Sequence, residues 1–214
     1  MRKLLFLLSL IFLLSLNFAC SGAKKQPPAA PLPDVSIAVA WFNQPRSMDD
    51  LLAGVMISEQ AFVGDKVLMN LDAELQKVLA EESKRAFINI AGSYTCQVKA
   101  EKVEKTGRTA LDYWVAVGAC LDADMILVPQ LTEWRNLEGS AMGAETPSSV
   151  TMDFYLIDVK RAQLVNRYHF EETQQTLTDN LLNIDKFFNR HGKWLTADEL
   201  AAEGMRQAVQ ELGL

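Results

Sequence analysis

The sequence has 214 residues, with 21 lysine and arginine residues against 27 aspartate and glutamate residues and a formal net charge of −6. Proteins that bind nucleic acid through its phosphates carry a basic patch or stripe, and this acidic chain gives no sign of one. The composition therefore excludes nucleic acid as the expected partner.

The N-terminus has the layout of a cleaved secretory signal. Arg2 and Lys3 precede an apolar run from Leu4 to Leu16, after which the chain turns small and polar. A membrane-spanning helix needs roughly 20 apolar residues to cross ~30 Å of hydrocarbon, and this run is shorter. We therefore predict a signal peptide over residues 1–19, with an uncleaved membrane anchor as the alternative.

Ala19 and Cys20 resemble the end of a lipobox, in which a small residue precedes a cysteine that receives a diacylglyceryl group. Asn17 and Phe18 depart from the leucine and small residue that usually stand there. The resemblance implies a lipoprotein whose mature chain begins at an acylated Cys20 carrying palmitate or a similar chain. In the alternative, an ordinary signal peptidase removes Cys20 or leaves it as a free thiol.

Ser21 follows the cysteine in place of aspartate. By resemblance to the sorting rule of Gram-negative bacteria, this serine favours the outer membrane and a domain that faces the periplasm. The segment up to residue 33 contains four prolines and should form an extended tether at about 3.1 Å per residue. Residues 20–33 are thus the anchor and tether, and residues 34–214 are predicted to form one periplasmic domain.

The domain opens with a strand and a capped helix. Val35–Phe42 alternates large and small apolar residues, which predicts a strand. Ser47 and Asp50 have capping-box spacing, which predicts a helix from about Met48 that ends before Gly64.

A second helix and a second strand follow. Asp65 is predicted to cap an amphipathic helix with apolar residues at three- and four-residue spacing. Ala86–Ile90 is a short apolar run that would complete a β-α-β crossover. Thr109 and Asp112 again have capping-box spacing and predict a helix that runs to about Leu121.

The last third predicts strands and a closing helix. Met125–Val128 is continuously apolar, as in a strand buried on both faces, and Pro129 predicts a bulge or an unpaired edge. Val150–Leu156 and Leu164–Phe170 alternate as an antiparallel hairpin, and Thr196–Glu199 is a capping box. The expected fold is therefore α/β, with a mixed β-sheet, a β-α-β unit, an antiparallel C-terminal hairpin and packed helices.

Three segments resemble envelope proteins related to the curli secretion lipoprotein and to the N-terminal domain of TolB. They are Ile37–Asn43, Gly118–Val128 and Ser149–Asp158, within a similarity that covers roughly residues 35–175. The resemblance implies a TolB N-terminal-like fold without a catalytic signature. It does not imply a secretion channel, because the chain lacks paired amphipathic strands long enough to build a membrane pore.

The sequence contains no P-loop, no glycine-rich dinucleotide motif, no His-Glu-x-x-His and no Cys-x-x-Cys. His169 and His191 have no neighbours in sequence that suggest a triad or a metal site. We therefore expect no enzyme, no catalytic residue, no cofactor and no metal. Cys96 and Cys120 form a disulfide in one interpretation and two separate buried thiols in the other.

Aromatic and basic residues cluster near the C-terminus. Phe187, Phe188 and Trp194 lie close in sequence to Arg190, and these residue types are enriched at binding hot spots. We interpret them as a candidate protein-binding patch, with aromatic residues that cover a sheet as the alternative. Asp153 with Glu171 and its neighbour is a weaker candidate for contacting a cation or a basic protein, against a solvated strand face.

The sequence is best explained as a non-enzymatic outer-membrane lipoprotein that binds another envelope protein as an assembly or accessory factor. One alternative is a subunit of an oligomeric export apparatus. Another is a lipoprotein that binds peptidoglycan or a small ligand, which requires a concave and partly apolar pocket.

Overall fold

A mixed five-stranded sheet organises the computed structural model, which describes residues 32–54, 61–88, 90–102, 107–140, 143–174 and 193–214. The strands are β1 (Ile37–Val39), β2 (Phe87–Ile88), β3 (Met125–Arg135), β4 (Glu138–Ser140), β5 (Gly143–Thr146), β6 (Ser149–Asp158) and β7 (Gln163–Thr173). The main sheet has the order β2-β1-β3-β6-β7, and β4 and β5 form a separate antiparallel pair.

In the described part of the chain, four helices pack on this sheet: α1 (Asp65–Glu82), α2 (Ile90–Glu101), α3 (Ala110–Cys120) and α4 (Ala197–Leu212). β1 is parallel to β2 and to β3, whereas β3 pairs with β6 and β6 with β7 in antiparallel fashion. The predicted mixed sheet, β-α-β unit and antiparallel hairpin are therefore confirmed. Asp158 holds the hairpin turn, because its Oδ1 accepts a hydrogen bond from Arg161 N at 2.8 Å.

Side chains alternate between two faces of the sheet. The first face is covered by α1 and α4, and there Leu127, Leu131 and Phe154 belong to one apolar core. The second face is covered in part by α2 and α3, which pack against a smaller core that includes Ile126 and Val128. Because successive residues of a strand point to opposite faces, β3 supplies both cores at once.

The helix starts follow the predicted caps in two of four cases. Thr109 Oγ1 accepts from Asp112 N at 3.2 Å, and Thr196 Oγ1 accepts from Glu199 N at 3.2 Å. In each case the acidic side chain bonds back to the cap, which completes a capping box. Asp65 is instead the first helical residue of α1, where its charge favours the helix N-terminus.

The helix predicted from Met48 is wrong. Only a single 3-10 turn forms over Met48–Asp50, although its capping box is present, and Leu51 is already extended with φ −79° and ψ 133°. The chain then crosses the second face of the sheet, where Leu52 N donates to Gln130 Oε1. We name residues 47–54 the crossing segment. In this segment, hydrogen bonds to the sheet replace the backbone hydrogen bonds of a helix. The remainder of the predicted helix, residues 55–60, lies outside the described residues.

Pro129 lies inside β3 and pairs with Phe154 of β6. On its other side β1 has already ended, and the Pro129 carbonyl accepts hydrogen bonds from Asn43 N and Asn43 Nδ2 at 3.3 and 2.9 Å. Proline lacks a backbone N–H, and at this position no neighbouring strand requires a hydrogen bond from that group. The predicted irregularity occurs two residues later, as a register shift between Leu131 and Glu133.

The domain has a tether end, where the chain emerges from the N-terminal segment. Leu32 N donates to the carbonyl of Gly213, after the last turn of α4. The Arg85 guanidinium donates to the carbonyls of Leu32 and Pro33. These bonds hold Leu32 and Pro33, the last two residues of the predicted tether, at this end of the domain.

The far end of the domain is defined by the opposite ends of the long strands. Arg135 pairs with Ser149, and Ser149 pairs with Thr173. β3 starts beside β1 at the tether end and runs 11 residues to this point. At about 3.3 Å per residue, the two ends are roughly 30 Å apart.

Candidate functional site

The crossing segment is fastened to the sheet by Gln130, which is fully buried. Gln130 Nε2 donates to Asn43 Oδ1 at 3.0 Å and to the carbonyl of Asp50 at 2.9 Å, and its Oε1 accepts from Leu52 N at 3.4 Å. One side chain thus satisfies two backbone groups of the crossing segment and the side-chain oxygen of Asn43. A buried backbone requires such partners, so Gln130 determines where this segment lies.

Tyr155 and Arg167 extend this contact toward the hairpin. The Tyr155 hydroxyl donates to the carbonyl of Ala53 at 3.0 Å, and the Arg167 guanidinium carbon lies 5.6 Å from the Tyr155 ring centroid. Burial raises the pKa of Tyr155 to about 12, and the charge of Asp153 adds to this effect. The phenol therefore stays protonated and remains a donor.

Asp153 is the centre of a buried ion cluster on the second face. Its Oδ1 accepts from Arg167 Nε at 2.8 Å and lies 2.9 Å from His169 Nδ1. His169 Nε2 lies 3.5 Å from Glu171 Oε2. Glu172 is paired directly with Val150, so it projects from the first face, away from Asp153. The three acids suggested from the sequence therefore do not form one site. Asp153 is instead bonded to an arginine and a histidine.

A cleft with a volume of about 380 Å³ opens between the chain that follows β1 and the facing ends of α2 and α3. It is lined by Asn43, Gln44, Pro45, Arg46, Ser47, Asp49, Asp50, Gln97, Glu101, Arg108, Thr109, Ala110, Tyr113 and Trp114. Two of these are aromatic rings packed edge to face, with centroids 4.8 Å apart. The cleft is therefore partly apolar and ringed by charge.

Arg108 is held in place at this cleft. Its Nη1 donates to the carbonyl of Ala100 at 2.8 Å, and its guanidinium carbon lies 4.7 Å from the centroid of the Tyr113 ring. Burial raises the pKa of Tyr113 to about 12, with the charge of Glu101 adding to the shift and Arg108 opposing it. Arg108 and Glu101 are thus both close enough to Tyr113 for their charges to act on it.

Arg46 and Arg108 occupy equivalent places in two copies of one local motif. Each arginine directly precedes the capping residue of a helical turn, Ser47 in one case and Thr109 in the other. Sequence reasoning identified both caps and missed both arginines. The repeated pattern of arginine, hydroxyl residue, two residues and aspartate was the available signal.

The structure joins Cys96 and Cys120 in a disulfide, with their Cα atoms 5.8 Å apart. This is the first of the two alternatives that the sequence left open. The bond links α2 to α3, which are the two helices that supply one side of the cleft. It therefore holds this wall of the cleft together.

One titratable group lies within the core of the first face. Asp72 of α1 is buried, and its Oδ1 accepts from Phe42 N at 2.7 Å. Its Oδ2 has no hydrogen-bond partner among the described residues. Burial raises the pKa of this carboxyl from 3.8 to about 7, and the Phe42 N–H opposes the shift.

The candidate protein-binding patch is only partly described. Trp194 is half-buried, whereas Phe187, Phe188 and Arg190 lie outside the described residues, as does Cys20. At the far end, Gln174 Nε2 donates to the Leu195 carbonyl at 2.7 Å. Leu195 N donates back to Gln174 Oε1 at 2.9 Å.

These bonds hold Gln174 and Leu195, which stand on either side of residues 175–192 in the sequence, next to each other at the far end.

Within the described parts of the chain, no group of three or more histidine, cysteine, aspartate and glutamate side chains is arranged to hold a metal ion. The same residues include no helix with the length and apolar character needed to cross a bilayer.

No family model matches this sequence, and no curated protein matches it. Solved structures are similar at low identity. The PelC dodecamer from Paraburkholderia phytofirmans is 13% identical, with 83% of this chain and 86% of that chain covered and a TM-score of 0.39. The LpoB C-terminal domain from Escherichia coli is 10% identical, with 68% and 88% covered and a TM-score of 0.38.

Lipoprotein GNA1162 from Neisseria meningitidis is 14% identical, with 73% of this chain and 96% of that chain covered and a TM-score of 0.34. Identities this low, with TM-scores below 0.5, assign neither a partner nor an activity to this chain. The resemblance to the curli secretion lipoprotein and to TolB stays a prediction from the sequence.

Proposed function

We propose that this chain is a non-enzymatic outer-membrane lipoprotein that binds another envelope protein through the far end of its domain. The observation that carries this proposal is the separation of two described places. Leu32 and Pro33, the last residues of the predicted tether, are bonded to Gly213 and Arg85, whereas Gln174 and Leu195, on either side of residues 175–192, are bonded to each other at the far end. A domain held by a lipid at the tether end would present the far end to its surroundings.

The anchor and the binding surface are separate in this proposal. An acylated Cys20 supplies membrane binding at about 0.8 kcal/mol per buried methylene, so the folded domain needs no membrane-binding face of its own. A proline-rich tether holds the domain about 40 Å from the bilayer. The far end then reaches well into the periplasm, where partners are accessible.

The partner would be recognised by aromatic and arginine side chains. Phe187, Phe188 and Arg190 are of the residue types that dominate binding energy at protein interfaces. They lie in sequence between Gln174 and Lys193, and Gln174 is bonded to Leu195 at the far end.

The patch can be tested by crosslinking pull-down from intact cells. We expect the F187A/F188A variant to lose a specific envelope partner that the native protein captures, and W194A to weaken the capture. The matched control is M69A, which removes an exposed apolar side chain from α1, where Met69 is 59% exposed. Thermal unfolding confirms that each variant folds. Capture of the same partners by native protein and F187A/F188A would refute the patch.

The anchor has its own test. Mass spectrometry of the mature N-terminus is expected to show an acylated Cys20, and C20S is expected to leave the membrane fraction. An unmodified N-terminus downstream of residue 20 would contradict the lipoprotein assignment while leaving the pull-down result intact.

A further inference from the structure

We infer that the cleft between α2, α3 and the chain after β1 binds a small zwitterionic ligand, namely an amino acid or short peptide with free termini. This binding would be separate from the proposed capture of a protein partner, because the cleft and the far end are different surfaces.

The position of the cleft is typical of ligand sites in open α/β sheets. It lies beside the carboxyl end of β1, which leads into α1 on the first face. The neighbouring parallel strand β2 leads into α2 on the second face. Ligands bind at such switch points, outside the carboxyl ends of strands. A volume of about 380 Å³ also falls in the range of small-molecule pockets.

The charges that line the cleft define the ligand class. Arg46, Arg108, Asp49, Asp50 and Glu101 line it. Asp50 Oδ2 already accepts hydrogen bonds from the backbone and the hydroxyl of Ser47. Among the residues that the structure describes, none of the other four side chains forms an ion pair. A purely anionic ligand would meet the carboxylates, and a purely cationic ligand would meet the guanidinium groups. A ligand that carries one charge of each sign can satisfy both sets.

Arg108 is the expected carboxylate binder. It uses Nη1 for the Ala100 carbonyl and lays its plane on Tyr113, which leaves Nε and Nη2 available. Guanidinium groups bind carboxylates through two parallel hydrogen bonds, and this geometry favours arginine for the role. Glu101 would receive the ammonium group of the ligand.

The two ligand-binding side chains are held in a fixed relation. Glu101 ends α2, Arg108 directly precedes the cap of α3, and the Cys96–Cys120 disulfide joins the two helices. Restricting the movement of a site lowers the entropy lost on binding. The disulfide therefore contributes to affinity without touching the ligand.

Isothermal titration calorimetry on the full-length protein in detergent tests the inference. The probes are Ala-Ala, Ala-Lys, Ala-Glu and Ala-Phe, each with free termini, with an acetylated amino group and with an amidated carboxyl group. We expect at least one free dipeptide to bind with a Kd below about 1 mM, and either modification to weaken binding about tenfold or more.

Variants test whether Arg108 binds the carboxylate of the ligand and Glu101 its ammonium group. R108Q and E101Q are each expected to weaken binding about tenfold or more. The controls R206Q and E81Q change exposed residues of α4 and α1, so they should bind like the native protein. Thermal unfolding excludes loss of fold. The inference is overturned if no free dipeptide binds below about 1 mM, or if the capped forms bind as tightly as the free forms.

Discussion

The two faces of the main sheet are built from the same strands and are covered in different ways. Helices α1 and α4 cover the first face, where β3 and β6 contribute the apolar residues Leu127, Leu131 and Phe154 to the core. On the second face, the cross-strand pair Val128 and Tyr155 is followed along the strands by the polar pair Gln130 and Asp153. At this point the sheet is covered by the crossing segment and no longer by helices. A helix forms most of its backbone hydrogen bonds internally, whereas an irregular segment must form them with the surface that it covers. The type of cover thus decides whether the sheet residues beneath it are apolar or polar.

Neighbouring aromatic residues offer the strongest test of this contrast. Phe154 is fully buried on the first face. Its replacement by alanine leaves a cavity, so we expect F154A to lower the free energy of unfolding by about 3 to 5 kcal/mol. Y155F on the second face removes only the bond to Ala53 and should cost about 1 kcal/mol. Urea unfolding measures both, and equal losses would contradict the contrast.

The second face depends on a covalent link that the first face lacks in the described residues. Cys96 and Cys120 are separated by 24 positions, and a disulfide closing a loop of this size stabilises a protein by about 3 kcal/mol. We expect the C96A/C120A variant to lose about this amount in urea unfolding. A reducing agent should destabilise the native protein and leave the variant unchanged. An equal response of both to the reducing agent would contradict a disulfide in the native protein.

On the first face, Asp72 makes stability depend on pH. Its pKa is about 7 in the folded protein against 3.8 ordinarily, so the folded state holds this proton more tightly. The resulting stabilisation is complete below pH 3.8 and is lost as the pH rises to about 7. We expect native stability to fall on the order of 2 kcal/mol over this range relative to D72N. The exposed control D34N should follow the native curve in pH-dependent urea unfolding, and parallel native and D72N curves would refute the assignment.

The smallest expected effects distinguish buried from exposed ion pairs. R167A leaves the buried Asp153 carboxylate with His169 alone, and we expect a loss of about 1 to 2 kcal/mol. K160A removes the surface pair with Asp124, where Lys160 is 79% exposed, and should leave the unfolding midpoint unchanged. Both are measured by urea unfolding. Equal effects would show that burial does not decide the strength of these pairs.

Local signals in the sequence predicted both helices of the first face and one helix of the second. Apolar periodicity located α1, and capping boxes located α3 and α4, because each of these features acts within a few residues. The hairpin and the strand after Asp124 were also correctly predicted. β3 nevertheless continues to Arg135, past Pro129, because the lost amide falls where β1 has ended.

The second face was predicted less well, since distant partners determine it. Ser47 and Asp50 form the expected cap, yet the helix stops because Gln130, 78 positions from Leu52, captures the next amide. Helix α2 was missed because Gly92 and its polar neighbours weaken its apolar periodicity. The cleft could not be predicted as a whole, because it lies between these two wrongly predicted elements.

The residues of the cleft could have been found only in part. The repeated motif around Arg46 and Arg108 is visible in the sequence, but its two copies are 62 positions apart and meet only through the fold. Glu101 sits at the end of a helix that was not predicted. Sequence reasoning therefore identified the caps that position the arginines without identifying the charges themselves.

The paired hydrogen bonds between Gln174 and Leu195 have a consequence for how this protein can diversify. They join the two described residues that stand on either side of residues 175–192. When two points of a chain are joined in this way, each doubling of the sequence between them costs only about 0.6 kcal/mol. Insertions or replacements within residues 175–192, which include Phe187 and Phe188, are therefore expected to leave the core of the domain intact.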